Sequence, residues 1–403
     1  MLPMSLWERI LRYFVELMTD KAIRNPMHTG KKIPPTTKSI SGDTTKKQRG
    51  TGKGKRDLFR KIILHWYEKN HRKLPWRENP TPYRVWISEI MLQQTQAKTV
   101  IPYYNRFLKR YPNITALAHA PFEDILTLWS GLGYYHRAQN IHKTAQKIVQ
   151  DYKGCFPTDY ATIFSLPGIG RYTAGAICSI ALNQPIPVVD GNIRRVLIRI
   201  NGVRRRMPEK YFWKRMTALV PKDKASVFNQ AIMELGAVIC LPSKPLCPQC
   251  PVHDSCRAKK QNLQNEIPSP KSRKTVHSVE LAVLVIKRRG RILLAHQETD
   301  FIPGLWGLPN EVISAKNSAE STAETLGGRI TRNRMQIDYS GQLHHSITHH
   351  RIRVHIFRCR IRDISLRLST EGSRMYWATR AQTYRMVTSS LFKKVLDSLK
   401  KEI

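Results

Sequence analysis

Between Leu58 and Cys256 the apolar residues recur at three- and four-residue spacing, with short polar breaks and no sustained two-residue alternation, which predicts an all-α region. Within it, Trp86, Ile90, Ala97 and Ile101 fall on one predicted helical stripe, and Glu89 sits at its edge. A carboxyl placed there is partly desolvated, so its pKa rises and it can hold a proton near neutral pH. The pattern changes near residue 279. Glu280-Leu281-Ala282-Val283-Leu284-Val285-Ile286 reads as a strand, Arg288 to Arg291 as a turn and Ile292 to Ala295 as the returning strand. Ile352, Val354 and Ile356 alternate with Arg351, Arg353 and His355, the signature of a strand with one wet face. Residues 279–403 are therefore expected to form an α+β domain. Residues 257–278, poor in apolar side chains and carrying Pro268 and Pro270, read as a linker after a helical domain over 57–256.

Charge narrows the partner. Against 29 Asp and Glu stand 68 Lys and Arg, a formal net charge of +39 in 403 residues, so self-repulsion is strong unless a polyanion neutralises it. Nucleic acid is the expected partner. The 41% hydrophobic content excludes a wholly disordered basic tail or a collagen-like chain, and the length suits several domains. Residues 1–56 form a basic extension. Its stretch 21–56 holds no Phe, Trp or Tyr and is expected to be disordered, either a DNA-tethering arm or a solvated tail with Met18 and Met27 as later starts. Leu6, Ile10, Phe14 and Leu17 have helical spacing, but Glu8, Glu16 and Asp20 interrupt any export signal. Residues 172–189 carry no charge yet are broken by Asn183, Gln184, Pro185 and Pro187, so no membrane span is expected. The expected location is the cytoplasm, on DNA, if the source is bacterial.

Three constellations carry chemistry. Cys240, Cys247, Cys250 and Cys256 place four soft ligands within seventeen residues, enough for a tetrahedral thiolate shell that zinc and a four-iron, four-sulfur cluster both accept. Lys244 inside that loop, with Lys259 and Lys260 after it, would present cations to phosphates. Leu166-Pro167-Gly168-Ile169-Gly170 puts two glycines in a tight turn before an Ala-rich helical stretch, where exposed N–H groups suit a phosphate. Twenty residues after Gly170 comes Val188-Val189-Asp190-Gly191-Asn192, an acid after an apolar run at a predicted helix start; a capping role is its plain alternative.

The Leu-Pro-Gly-Ile-Gly hairpin, the Val-Asp-Gly-Asn aspartate and the Cys-x6-Cys-x2-Cys-x5-Cys loop, in this order, resemble the helix-hairpin-helix DNA glycosylase superfamily. The resemblance implies one four-iron, four-sulfur cluster on the four cysteines. The branch similar to endonuclease III carries a Schiff-base lysine where this chain has Tyr172, and a tyrosine cannot form that imine. Val85 to Gln96 closely resembles the catalytic-glutamate helix of the adenine DNA glycosylases of the MutY type. That likeness implies removal of adenine mispaired with 8-oxoguanine or guanine in double-stranded DNA by a monomer. It makes Glu89 the acid, Asp190 the stabilising anion, and Tyr172 and Asn192 their supports. It also implies an adenine pocket of Arg72, Leu74, Trp76, Arg77 and Glu234, although Trp76 taken singly reads as core rather than pocket. Gln94, Thr95, Leu132, Gly133 and Tyr134 match elements that wedge into the duplex. Residues 279–403 resemble the family's Nudix-like domain, which recognises 8-oxoguanine. The Arg-Glu-x-x-Glu-Glu run of a Nudix hydrolase is missing around Glu320 and Glu324, so nucleotide hydrolysis is not expected. The sensing loop, Phe-Ser-His in the family, is here Ile347-Thr348-His349, which keeps the hydroxyl and the imidazole and loses the aromatic ring.

Overall fold

In a computed structural model, residues 52–269, 275–297, 305–331, 335–347, 349–360 and 375–399 are described. Helix α1 (Gly52–Asn70) opens the helical domain, and the next two helices, α2 (Pro75–Glu78) and α3 (Pro82–Leu92), start at proline, whose fixed φ suits a first helical turn. Thr81 caps α3 by accepting from the Arg84 N–H. Then come α4 (Ala97–Arg110), α5 (Ile114–Ala118), α6 (Phe122–Trp129), α7 (His136–Tyr152) and α8 (Tyr160–Ser165). The tight turn leads into α9 (Arg171–Ala176), which runs on as a π-helical turn, Ile177–Ala181. Helices α10 (Gly191–Asn201), α11 (Glu209–Leu219), α12 (Ala225–Val238) and α13 (Arg257–Lys260) complete the domain around a core holding Trp86, Phe107, Trp129 and Phe228.

Three boundaries differ from the sequence expectation. The stripe of Trp86, Ile90, Ala97 and Ile101 spans two helices, because the chain breaks over residues 93–96 and Gln94 adopts a left-handed φ of 57°. Helix begins at Gly52, inside the stretch expected to be disordered: once Phe59 and Ile63 anchor the core face, the preceding Lys and Arg residues extend the same helix at little cost. Most of the expected linker belongs to the helical domain, since Ala258, Leu263 and Ile267 pack as a small buried cluster with Ile198 and Cys256. Three apolar residues spread over ten positions gave no periodic signal, and their burial depends on the cysteine loop beneath them.

The C-terminal domain is α+β. Strand β1 (His277–Arg288) lies centrally, with β2 (Arg291–His296) antiparallel to it and β6 (His350–Arg360) parallel. The first hairpin turns at Arg289 and Gly290, both at positive φ, as a two-residue turn requires. The short strands β3 (Trp306–Gly307) and β4 (Asn310–Val312) pair with β2 and β1. Helix α14 (Ala319–Ile330) precedes β5 (Gln336–Ile347), which pairs with β6, and β7 (Met375–Thr379) pairs with β2 before α15 (Arg380–Met386) and α16 (Ser390–Ser398) close the chain. The continuous apolar run of β1 follows from cover on both faces. Ala282, Leu284 and Ile286 pack with Ala323, Leu326 and Ile330 of α14, whereas Leu281, Val283 and Val285 share a core with Leu391, Phe392 and Val395 of α16. In β6 the alternation holds: Ile352, Val354 and Ile356 are buried, and Arg351 and Arg353 are exposed.

The two domains touch through named bonds. Ser130 Oγ and Tyr135 Oη both donate to the Thr388 carbonyl, at 3.1 and 2.7 Å, and Lys393 Nζ donates to Ser130 Oγ at 2.7 Å.

Candidate active site

A cavity of about 640 Å³ opens between α3, α4, α9, α10 and α12, with the segment around α2 forming one wall. Glu89, on α3, lines it and is only 5% exposed; Tyr172, on the first turn of α9, donates its hydroxyl to Glu89 Oε2 at 2.8 Å. Burial pushes the Glu89 carboxyl up to about 7, the Tyr172 hydrogen bond pulls against that, and the nearby Asp190 charge adds to it. The carboxyl thus changes protonation state near neutrality. Burial also holds the Tyr172 hydroxyl well above its ordinary range, so it stays a donor.

Asp190 lines the same cavity and caps a helix. One oxygen caps α10 by accepting from the Ile193 N–H at 2.7 Å, and the other accepts from Asn192 Nδ2 at 3.1 Å. Burial raises its pKa, opposed by those hydrogen bonds and by the Arg195 charge. Opposite in character is Glu234, on α12, which is buried and takes four hydrogen bonds. Arg72 supplies its backbone N–H at 3.0 Å, Nε at 2.7 Å and Nη2 at 2.9 Å, and Arg77 Nη2 adds one at 2.8 Å. Burial alone would raise Glu234, but the bonds from Arg72 and Arg77 outweigh it and hold the carboxyl near 2. Leu74 and Trp76 line the same cavity, and Trp76 also packs edge-on against Tyr104 at 5.5 Å, so it is wall and core together.

Of the residues expected to meet DNA, Thr95 reaches the cavity. Gly168, at φ +70°, turns the hairpin where a Cβ would lie 2.6 Å from Asn140, so only glycine fits; Gly170 caps the start of α9. In the loop after α6, Gly133 and Tyr134 are partly exposed, but Leu132 is 5% exposed. In the absence of DNA the turn through Gly131 folds the Leu132 side chain into the core. Lys244 is exposed in the cysteine loop. His349 is exposed beyond β5, and Thr348 lies outside the described residues.

All four cysteines line one pocket under α10 and α12, with a free volume of about 30 Å³. Among the described residues no three His, Cys, Asp or Glu side chains converge on a single-ion site. Four thiols around one pocket form a soft donor set that suits a four-iron, four-sulfur cluster and zinc alike.

Residues 87–222 match the family described as HhH-GPD superfamily base excision DNA repair protein. An adenine DNA glycosylase of Buchnera aphidicola subsp. Baizongia pistaciae is 44% identical over 253 residues, covering 62% of this chain and 71% of that protein. The chain belongs to the adenine DNA glycosylases. A relative of the same description from Homo sapiens is 42% identical over 222 residues, 52% of this chain and 41% of the human protein. Among solved structures, a thermostable thymine-DNA glycosylase aligns at 30% identity over 52% of this chain and 98% of its own, with a TM-score of 0.49. A MutT protein from Methanosarcina mazei aligns at 18% identity over 32% of this chain and 98% of its own, with a TM-score of 0.29.

This glycosylase also uses residues that sequence reasoning missed. Arg195 Nη2 donates to Asn192 Oδ1 at 2.8 Å and to the Gly236 carbonyl at 2.7 Å, while its Nε donates to the Cys240 carbonyl at 2.7 Å. Arg199 donates to the Pro242 and Ile267 carbonyls. Both arginines lie on the buried side of α10, an unusual place for cations that the Asn-x-x-Arg spacing could have flagged. Gln230 and Lys98 line the cavity too, and nothing in their local pattern set them apart. Among the described residues, no helix is long and apolar enough to cross a membrane.

Proposed function

We propose that this enzyme hydrolyses the N-glycosidic bond of adenine opposite 8-oxoguanine or guanine in double-stranded DNA, acting as a monomer and leaving an abasic site with the strand intact. The observation that carries the proposal is the pairing of a buried carboxyl titrating near 7, Glu89, with a second carboxyl, Asp190, in one cavity. A flipped adenine enters that cavity, where Trp76 and Leu74 offer apolar surface and the Arg72–Arg77–Glu234 cluster offers fixed hydrogen-bonding groups.

Glu89 starts protonated and donates to N7 of adenine, so that the base departs neutral. Tyr172 keeps the carboxyl aimed by its hydrogen bond. As the bond breaks, positive charge develops on the sugar; Asp190, held by the Ile193 N–H and by Asn192, supplies the opposing negative charge or a transient covalent bond. Glu89, now ionised, takes a proton from the attacking water. Tyr172 stands where strand cleavage would need an amine, and a phenol forms no imine with the abasic sugar.

Cys240, Cys247, Cys250 and Cys256 would hold one four-iron, four-sulfur cluster, whose chemistry here is to staple the loop bearing Lys244. The hairpin at Gly168 and Gly170 would take a backbone phosphate, and Gln94, Thr95 and Tyr134 would enter the duplex. The domain over 279–403, with the Nudix-like fold its sequence resembles, would sense 8-oxoguanine through Thr348 and His349.

The test is single-turnover excision on a duplex with one adenine opposite 8-oxoguanine, comparing wild type with Glu89→Gln, before and after alkali. Cleavage by wild type only after alkali, with a silent variant, is the expected result. Binding by both proteins without any abasic site overturns the enzymatic reading.

A further inference from the structure

Arg137, the second residue of α7, is 3% exposed and has no carboxylate partner among the described residues. Burial pushes its pKa down to about 10, so it remains a cation at neutral pH. A buried cation without a counter-ion is costly unless its N–H groups are spent on strong acceptors. Here those of Nη1 and Nη2 are spent on two separate segments, while Nε is buried without a partner. Nη1 donates to the carbonyls of Ile90, Met91 and Gln93 at 2.8, 3.0 and 2.7 Å, in the last turn and C-cap of the helix that carries Glu89, where few backbone partners remain; the Ile90 carbonyl also accepts from the Gln93 N–H at 3.4 Å. Nη2 donates to the carbonyls of Leu132 and Gly133, both at 3.0 Å, in the loop after α6. The guanidinium also lies 5.4 Å from the ring centres of Trp129 and Tyr134.

The loop is built so that this link is stiff. Gly131, at φ +103°, leaves no room for a Cβ beside Tyr103, and Trp129 Nε1 adds a bond of 3.2 Å to the Gly133 carbonyl. Glu89 is one residue before Ile90, the first helix carbonyl that Arg137 grips. A displacement of the loop is therefore carried by one planar fork to the backbone beside the acid, with no intervening side chain to absorb it.

The geometry points to Arg137 as a positioning residue that ties the loop facing the duplex to the helix end beside the acid, so that Glu89 is aligned when the loop is seated in DNA. This rests on the proposed roles of Glu89 and of the loop. The test compares wild type, Arg137→Lys and Arg137→Met, well below their unfolding midpoints, in DNA affinity and in single-turnover excision across pH. Expected for Arg137→Met is affinity within about threefold of wild type and excision slowed roughly a hundredfold. The upper pH midpoint should move above its wild-type value as the Tyr172–Glu89 bond loosens, and Arg137→Lys should recover part of the rate. An unchanged rate and midpoint with a lowered unfolding temperature makes Arg137 a brace and overturns the inference.

Should both variants fail to fold, hydrogen exchange on wild type decides. Duplex binding should slow exchange at the Met91 and Leu92 amides together with Gly131 to Tyr134, and protection confined to the loop overturns the link. If instead Glu89→Gln excises like wild type, the reading beneath fails, whatever Arg137 does.

Discussion

The helical and the sheet domains handle charge in opposite ways. The helical domain buries Glu89, Asp190, Glu234, Arg137, Arg195 and Arg199 and gives almost every one a hydrogen-bonded partner. The sheet domain keeps its charges outside. Its ion pairs, Arg353–Glu280 and Arg329–Glu311, have half-exposed side chains, and its core is apolar on both faces of β1. Buried charge sets protonation states and rigid geometry, which bond-breaking needs; exposed charge steers and discriminates. Substitution of charged groups should therefore be severe in the first domain and mild in the second.

The sharpest test is Glu89→Gln. Excision should fall about a thousandfold or more with the acid gone. Stability should move the other way: with a folded pKa near 7, above the ordinary 4.5, native Glu89 resists ionisation, so wild type loses stability as pH rises from 4.5 to 7. The neutral glutamine avoids that loss, worth on the order of 3 kcal/mol, and urea titrations at pH 8 and pH 5 should show the variant's advantage at pH 8 only. Equal stability at both would mean that Glu89 is not desolvated.

Next in size, Glu234→Gln leaves Arg72 and Arg77 facing each other without their anion. A loss of about 3 kcal/mol is expected from breaking a buried pair, together with weaker adenine excision; a thermal shift within error would break the contrast between the domains. Tyr172→Phe should cost roughly tenfold in rate. It removes a bond that lowers the Glu89 pKa, so the high-pH limb of the rate profile, where deprotonated Glu89 stops working, should move to higher pH. On the acid side, the rate falls as Asp190 gains a proton, at a pH above the ordinary aspartate value.

In the sheet domain the expected effects shrink. His349→Ala should leave excision opposite guanine unchanged and reduce only the preference for 8-oxoguanine, a few-fold in competition between the two duplexes. Loss of excision on both would place essential chemistry in the second domain. Arg385→Ala breaks an exposed pair with Asp124 and should change stability by less than about 0.5 kcal/mol.

What could be read from the chain tracks how local each device is. The β1–β2 hairpin, the capping aspartate at 190 and the glycine turn at 168 are written in a few neighbouring residues, and the structure has them where expected. The family motifs also drew Glu89, Tyr172, Asp190 and Glu234 into one cavity. Features made by distant partners stayed hidden. Arg137 finds three of its five acceptors more than forty residues away, and Ile267 gives its carbonyl to Arg199 across 68 residues. The burial of Leu132 has no local mark either: it follows from the packing of the chain between α6 and α7.

One guanidinium, that of Arg195, joins the Cys240 carbonyl to the Asn192 side chain. The cysteine loop and the turn holding Asp190 are therefore coupled through a single side chain. Selection cannot tune the two separately. A substitution accepted in the loop arrives at the Asp190 carboxylate as a small change of alignment, and must be matched there by a second change before either can persist.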